Sequence, residues 1–347
     1  MKRKSEHIRI SLEEEIEVGD NGFGDISLIH NSLPELDFSK IELSTEFLGK
    51  KLDYPIIIEA MTGGNDEARK INKSLAKVAE DMNIGIGVGS QRPALEKGSV
   101  ADSFSVVKDF APTALKIGNL GAVQLNYGVG LEDCKKAIEM IDADALAFHL
   151  NPLQEMIQPE GDSDFSDLLE KIEDICSKLK KPVIVKEVGC GLSKYVAEKL
   201  FTAGVSCIDV GGYGGTSWGL IEGKRTSPKS PQARLAQTFS GWGIPTAISL
   251  LEVGELDIPK IASGGIRNGI EAAKSIAMGA DVVGMALPLL RALNKGGEKA
   301  VKATLEDFVF ELKTAMFLIG ARDVACLKRK PFKVMGRAAQ WINQPEL

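Results

Sequence analysis

The chain has 347 residues, 44% of them hydrophobic and 26% charged, with a net charge of -6 at neutral pH. That is the composition of a globular protein with ample core, and its acidic balance argues against general nucleic-acid binding, which needs a basic footprint. No apolar run approaches the roughly 18 residues that span a bilayer, and "MKRKSEHIRISLEEEIE" at the start has no apolar segment after its charges. A soluble, cytoplasmic protein with no membrane or nucleic-acid partner is expected.

Short apolar runs recur along the chain, and most are followed by a helical pattern. They are "PIIIEA" (55–60), "GIGVG" (85–89), "ALKIG" (114–118), "ALAFHL" (145–150), "PVIVKE" (182–187), "CIDVG" (207–211), "KIAS" (260–263) and "DVVGMA" (281–286). Amphipathic stretches such as "DEARKINKSLAKVAEDM" and "SDLLEKIEDICSKLKK" lie between them. Apolar strands alternating with helices imply a parallel sheet covered by helices, and eight such units suggest an α/β fold closed as a (β/α)8 TIM barrel. "IPTAISLLEVGEL" (244–256) reads as a helix, with Pro245 at its first turn and Gly254 near its end. The simplest organisation is one domain over 1–347. Its barrel spans roughly 55–305, with an N-terminal extension (1–54) and a helical tail (306–347), where "LEDFVFELKTAMFLIGA" reads as an amphipathic helix.

Two basic clusters, "KRK" at 2–4 and "LKRKPFK" at 327–333, run against the acidic balance and suit either solvent or a phosphate. The five cysteines (134, 176, 190, 207 and 326) show no zinc-type spacing and read as reduced, mostly buried thiols.

In such a barrel the site lies at the C-terminal strand ends. The residues just past each run are Met61, Thr62, Gly63 and Gly64; Ser90, Gln91 and Arg92; Asn119; the segment "HLNPLQEMIQPEGD"; Lys186; "GGYGGTSW"; "SGGIRNG"; and "ALP". They are polar or glycine-rich almost throughout, which packing alone does not require. "SGGIRNG" followed by a helix aims free backbone N–H groups at an anion. "GGYGGTSW" adds hydroxyls from Thr216 and Ser217. Glycines also make tight turns, but two such loops on one mouth favour a phosphate-bearing cofactor.

Lys186 ends an apolar strand, and buried lysines need partners. A salt bridge, a Schiff-base nucleophile and a cation beside an electron-rich cofactor are all open. His149, one of three histidines, stands beside more amides than a solvated surface needs. Glu155 there could hold Mg²⁺ against substrate phosphates, with His149, Ser90, Arg92 and the N-terminal Arg3 and Lys4 on the same anion.

Taken together, "RKSEH", "AMTGG", "GVGSQR", "NLGA", "HLNPLQE" with "QPEGD", "VKEVGCGLS", "GGTSW", "SGGIR" and "GMALP" resemble the type 2 isopentenyl-diphosphate isomerases, in order from residue 3 to about 290. The resemblance implies an FMN-dependent barrel of isoprenoid biosynthesis. It would interconvert isopentenyl and dimethylallyl diphosphate with Mg²⁺ and reduced FMN, NADPH being the expected reductant and a homo-oligomer (tetramer or octamer) the expected assembly.

By matching motifs, Met61, Thr62, Gly63, Ser90, Asn119, Lys186, Thr216, Gly264, Gly265, Ala286 and Leu287 would hold FMN. Arg3, Lys4, Ser90, Gln91, Arg92, His149, Asn151 and Gln154 would face substrate, and Glu155 would hold the metal. Relatives often carry serine at the position of Gly211. The catalytic candidates are Gln154, His149 and Glu155. An amide does not titrate near neutrality, so Gln154 is expected to orient the alkene or relay through water, with the flavin supplying the proton. The competing readings are a flavin dehydrogenase or oxidase of the same fold and a Schiff-base aldolase using Lys186. The former fits poorly, because no histidine follows 149 and Cys207 lies inside an apolar run.

Overall fold

The computed structural model describes residues 2–344, without the side chain of Lys2, so that of the basic cluster at 2–4 only Arg3 and Lys4 are fully described. Eight parallel strands close into a barrel. In chain order they are β1 (Ile56–Ile58), β2 (Gly85–Gly87), β3 (Lys116–Gly121), β4 (Ala145–Leu150), β5 (Val183–Glu187), β6 (Cys207–Asp209), β7 (Lys260–Ala262) and β8 (Val282–Met285). Closure comes from β8 pairing with β1, Val283 opposite Ile56 and Met285 opposite Ile58. Each strand falls within one of the eight apolar runs or overlaps it.

Period-two alternation sorts the strand residues into two cores. Ile57, Ile117, Ala147, Ile184, Ile261 and Val282 fill the barrel interior. Ile56, Ile58, Leu146, Phe148, Val185 and Val283 pack outward under the helices. An antiparallel hairpin (Thr45–Phe47 with Lys50–Leu52) adds buried Phe47 and Leu52 to the interior core. The mouth at the other end stays open.

The segment at 244–256 is helical over Thr246–Val253, with Pro245 at the N-cap and Gly254 at the C-cap. Where the tail begins differs from expectation. Leu287–Leu318 is helical on both sides of a kink at which Gly296 (φ -153°) and Gly297 (φ +67°) leave the helical region, so two helices meet there. The boundary at 305 falls inside the second of them. Beyond it, Phe332–Val334 pairs antiparallel with Ile26–Leu28, so the two terminal extensions are joined to each other.

The N-terminal extension opens with a helix, Lys2–Glu13, which buries Ile8 and Ile10. The strand-like segment after it lies on the glycine loops. Val18 N–H donates to Gly215 O (3.2 Å), Ser217 N–H donates to Ile16 O (2.8 Å), and Asn21 Nδ2 donates to Gly265 O (2.8 Å). Among the described residues no helix is long and apolar enough to cross a membrane, and all five cysteines are free thiols.

The helix after the kink is locked to the barrel at Gly269, whose N–H donates to Glu311 Oε2 (2.7 Å). A Cβ there would run into the backbone of Glu311 and Leu312. Gly269→Ala should therefore lower the denaturant midpoint by overpacking, costing about 1–3 kcal/mol. An unchanged midpoint would show that this contact does not hold the tail.

Candidate active site

The strand ends surround a cavity that opens to solvent. Met61, Ser90, Asn119, Lys186, Thr216, Gly264, Gly265, Ala286 and Leu287 line it, as do Arg3, Lys4, Arg92, His149, Asn151, Gln154 and Glu155. Three expected residues do not. Gln91 is fully buried and turned away: its Nε2 donates to Ala137 O (2.8 Å) and its Oε1 accepts from Asn119 N–H (2.9 Å). It supports the Asn119 backbone rather than facing a ligand. Gly63 packs where a Cβ would enter the Phe104 ring. Thr62 is buried, its Oγ1 without a partner, and its carbonyl accepts from Gly89 N–H (3.1 Å).

One wall carries positive charge and amides. After β4 the chain enters a short helix, Pro152–Ile157, which places Asn151, Gln154 and Glu155 on one turn. Asn151 Nδ2 donates to Glu155 Oε1 (2.9 Å), and Asp162 N–H donates to Glu155 Oε2 (2.8 Å). Asp162 holds Arg92 (2.8 Å) and Gln124 (2.9 Å). Burial, with Arg3 and Arg92 nearby, lowers Lys4 to about 8. Three cations so close repel one another, and an anion among them would relieve it.

His149 stands between the walls. Asn119 Nδ2 donates to Val88 O (3.0 Å), which leaves Asn119 Oδ1 to accept from His149 Nδ1 (2.8 Å) and assigns the ring proton to Nδ1. Burial, then Lys186, Lys4 and Arg92, pull its pKa down to about 3. The imidazole is neutral and cannot serve as an imidazolium acid at neutral pH.

The floor is acidic. Lys186 Nζ lies 2.9 Å from Asp209 Oδ2 and 3.5 Å from Glu59 Oε2, and donates to Glu187 O (3.1 Å). Burial alone would lower the lysine, but the Asp209 and Glu59 carboxylates outweigh it and hold Lys186 above its usual value. A fixed ammonium is no Schiff-base nucleophile, and the aldolase reading falls. Cys207, buried beside Asp209, is pushed well above the ordinary thiol range, first by burial, so it is no nucleophile either.

A further group escaped the sequence reading. Glu222, fully buried on the helix Trp218–Lys224, accepts from Gln154 Nε2 (3.1 Å) and from Arg225, with His7 Nε2 3.0 Å away. Burial raises its carboxyl, but His7, Arg225 and Gln154 outweigh that and bring it to about 2. The Gln154 amide is thereby fixed, its Oε1 accepting from Asn151 Nδ2 (3.2 Å). Glu222 lies outside every quoted motif, and no spacing pointed to it.

The remaining wall is backbone. Gly264 and Gly265 both take positive φ, in direct contact with the Gly212–Gly215 loop. The Leu287 helix begins with no side-chain cap. Pro288 has no N–H, and the Leu289 and Leu290 amides donate to Ala286 O (3.0 and 3.1 Å), so of its first turn the Leu287 N–H is the one left for an anion. Gly211 is at φ +45°, and a Cβ there would collide with Glu187 O. This chain's turn therefore excludes a serine at 211.

The donor set fits FMN: backbone amides at the glycine loops and Leu287 for a phosphate, and a fixed cation on the floor. For Mg²⁺, Glu155 and the buried, unpartnered Asn151 Oδ1 supply hard oxygens. No group of three or more His, Cys, Asp or Glu among the described residues could hold a metal unaided. An ion here would need phosphate oxygens, which is how Mg²⁺ is commonly bound.

Since the folded His149 pKa lies below its ordinary 6.5, acid protonates the unfolded chain first, and stability is lost as pH falls from about 6.5 toward 3. Nitrogen-15 NMR should show the signal that disappears in His149→Asn as a neutral ring from pH 8 to pH 5. Titration near 6.5 would contradict this geometry.

The family model described as FMN-dependent dehydrogenase matches residues 142–333. The chain is 49% identical to the isopentenyl-diphosphate delta-isomerase of Methanoregula boonei, over 98% of this chain and 96% of that protein. Its identity is 48% to the protein of that name from Archaeoglobus fulgidus (99% and 98%) and 48% to that from Pyrococcus furiosus (99% and 89%). Among solved structures, a mandelate oxidase variant superposes with a TM-score of 0.65 at 18% identity, over 96% of this chain and 99% of that one. A putative lactate oxidase from Pediococcus acidilactici gives 0.63 at 18% (94% and 87%). At that identity the likeness shows the fold alone. With relatives this close over nearly the whole length, and a flavin-type barrel beneath the match, the chain belongs to the family of FMN-dependent isopentenyl-diphosphate delta-isomerases.

Proposed function

We propose that this protein interconverts isopentenyl and dimethylallyl diphosphate on bound, reduced FMN with Mg²⁺, without net redox change. The observation that carries the reading is one cavity with two unlike walls: Arg3, Lys4, Arg92 and the Asn151–Glu155 turn on one side, the glycine loops and Lys186 on the other. Bound FMN, when reduced, supplies an electron-rich face with an exchangeable proton.

The chain's own residues do the rest. Met61, Ser90, Asn119, Lys186, Thr216, Gly264, Gly265, Ala286 and Leu287 hold the cofactor. Arg3, Lys4 and Arg92 take the diphosphate, which neutralises their mutual repulsion, and Glu155 holds Mg²⁺ against it. His149, held by Asn119, packs neutral beside the substrate. Moving the double bond protonates the terminal methylene carbon and removes a proton from the carbon next to the diphosphate-bearing one, through a centre resembling a tertiary cation. Preorganised negative charge stabilises such a centre. Gln154, locked between Asn151 and Glu222, presents its amide to the alkene without exchanging a proton of its own. NADPH as reductant, a cytoplasmic location and a tetramer or octamer complete the proposal.

Purified protein, or protein incubated with excess FMN, should absorb as a flavoprotein and release FMN, not FAD, on denaturation. Isomerisation should require the flavin reduced. Protein that stays colourless, or works equally well in both redox states, would refute the proposal.

Glu155→Gln should raise the Mg²⁺ concentration needed for half-maximal activity by about tenfold or more, because a hard cation prefers a charged oxygen. Arg92→Ala should instead raise KM for the diphosphate, by roughly 10- to 100-fold for a lost charge-assisted hydrogen bond. An unaltered Mg²⁺ response in Glu155→Gln would remove Glu155 from the metal site.

A further inference from the structure

The floor of the cavity holds more negative charge than its lysine balances. Asp209 is 1% exposed. Its Oδ2 pairs with the Lys186 ammonium at 2.9 Å by charge but has no hydrogen-bond partner, and its Oδ1 accepts from Ser263 Oγ (2.5 Å) and Gly211 N–H (3.2 Å). Glu59 is less well held. Its Oε2 is 3.5 Å from the same ammonium and accepts a long bond from Ala60 N–H (3.3 Å), while its Oε1 lies against Gly284. With every group ionised, the three side chains would carry a net charge of -1 in a desolvated barrel. Two carboxylates sharing one counter-charge do not both stay ionised cheaply. Asp209 has the better partners, so Glu59 is the group that takes the proton.

Its surroundings offer no other remedy. Across the barrel Glu59 meets only Lys186 and Asp209 as charged groups. Neighbouring β8 presents Gly284 and Met285 and β2 presents Gly87, none of which titrates. Glu187 turns its carboxylate to the amides of Val188 (2.7 Å), Gly189 (2.8 Å) and Cys190 (2.5 Å). His149, beside Lys186 in register, is neutral. Burial and then Asp209 push Glu59 up to about 7, with Lys186 pulling the other way.

Glu59 also lines the cavity assigned to FMN. We propose that Glu59 is a positioning residue that stores a proton beneath the cofactor and takes one up when FMN is reduced, keeping the floor neutral against the added charge. This rests on the FMN reading above. Near neutral pH Glu59 is only partly protonated. A hydride donor would bring two electrons and one proton to bound FMN and add one negative charge there. The fraction of Glu59 still ionised would then take a proton from solvent, while the fraction already protonated would stay as it is.

The test is an infrared titration of the protonated-carboxyl band from pH 5 to pH 9, on wild type, Glu59→Gln and Asp209→Asn, without FMN and with bound FMN in each redox state. The wild type minus Glu59→Gln difference cancels Glu187, which burial also raises to about 7. It should show a band lost with a midpoint near 7 in the apoprotein. In Asp209→Asn the midpoint should fall by about one pH unit or more, a tenfold change in proton affinity, and Asp209→Asn keeps the test readable should Glu59→Gln fail to fold. Reduction of bound FMN should raise the wild-type midpoint. No Glu59 band, or a midpoint indifferent to Asp209, would overturn proton storage. A midpoint indifferent to flavin reduction would overturn the coupling. Protein showing the Glu59 band but binding no FMN would refute the cofactor reading instead.

Discussion

A lysine inside a barrel must be charged and paired or else neutral, and the choice made for Lys186 organises the floor of this site. Its ammonium draws Asp209 and Glu59 together from strands on opposite sides of the barrel. Asp209 in turn ties Ser263 at the end of β7 and the Gly211 amide after β6. One ion pair thus connects β1, β5, β6 and β7 just below the glycine loops. Removing either partner would strand a desolvated charge, which is far costlier than losing an exposed pair.

Above that floor the cavity is divided by charge. Positive side chains and amides gather where the chain leaves β2 and β4 and where the N-terminal helix arrives. Backbone amides gather at β7 and β8. The division suits a ligand that is anionic at one end and apolar at the other, lying against a cofactor with a phosphate of its own. Glu222 joins the two parts of the cationic wall. It pairs with Arg225, approaches His7 of the N-terminal helix and orients Gln154 from the β4 loop. The extension is therefore part of the site, supplying Arg3, Lys4 and the segment that covers the glycine loops.

Much of this was legible in the residues. Eight apolar runs bounded by glycine, proline and polar residues sufficed for the barrel, since a strand buried on both faces has little choice of composition. Strand ends then put most ligand-facing positions in view. The errors have physical reasons. Gln91 sits in a motif at a strand end, but a motif does not say which way a side chain turns, and a fully buried amide found backbone partners instead. Glu59 and Asp209 were hidden inside "PIIIEA" and "CIDVG", where a carboxylate reads as an interruption until Lys186 is seen opposite. Glu222 reaches Gln154 only through tertiary packing, across 68 positions of sequence. The tail boundary at 305 lies past the break at Gly296 and Gly297, where the backbone leaves the helical region between two helices.

The central claim is that the cofactor assists a shift of a double bond and is not consumed. Anaerobic protein with fully reduced FMN and Mg²⁺ should be given a large excess of isopentenyl diphosphate in D₂O, with flavin absorbance and product deuterium followed together. The account predicts many turnovers to deuterium-bearing dimethylallyl diphosphate while the flavin stays reduced. Flavin oxidised in step with product, or allylic product free of solvent deuterium, would contradict it.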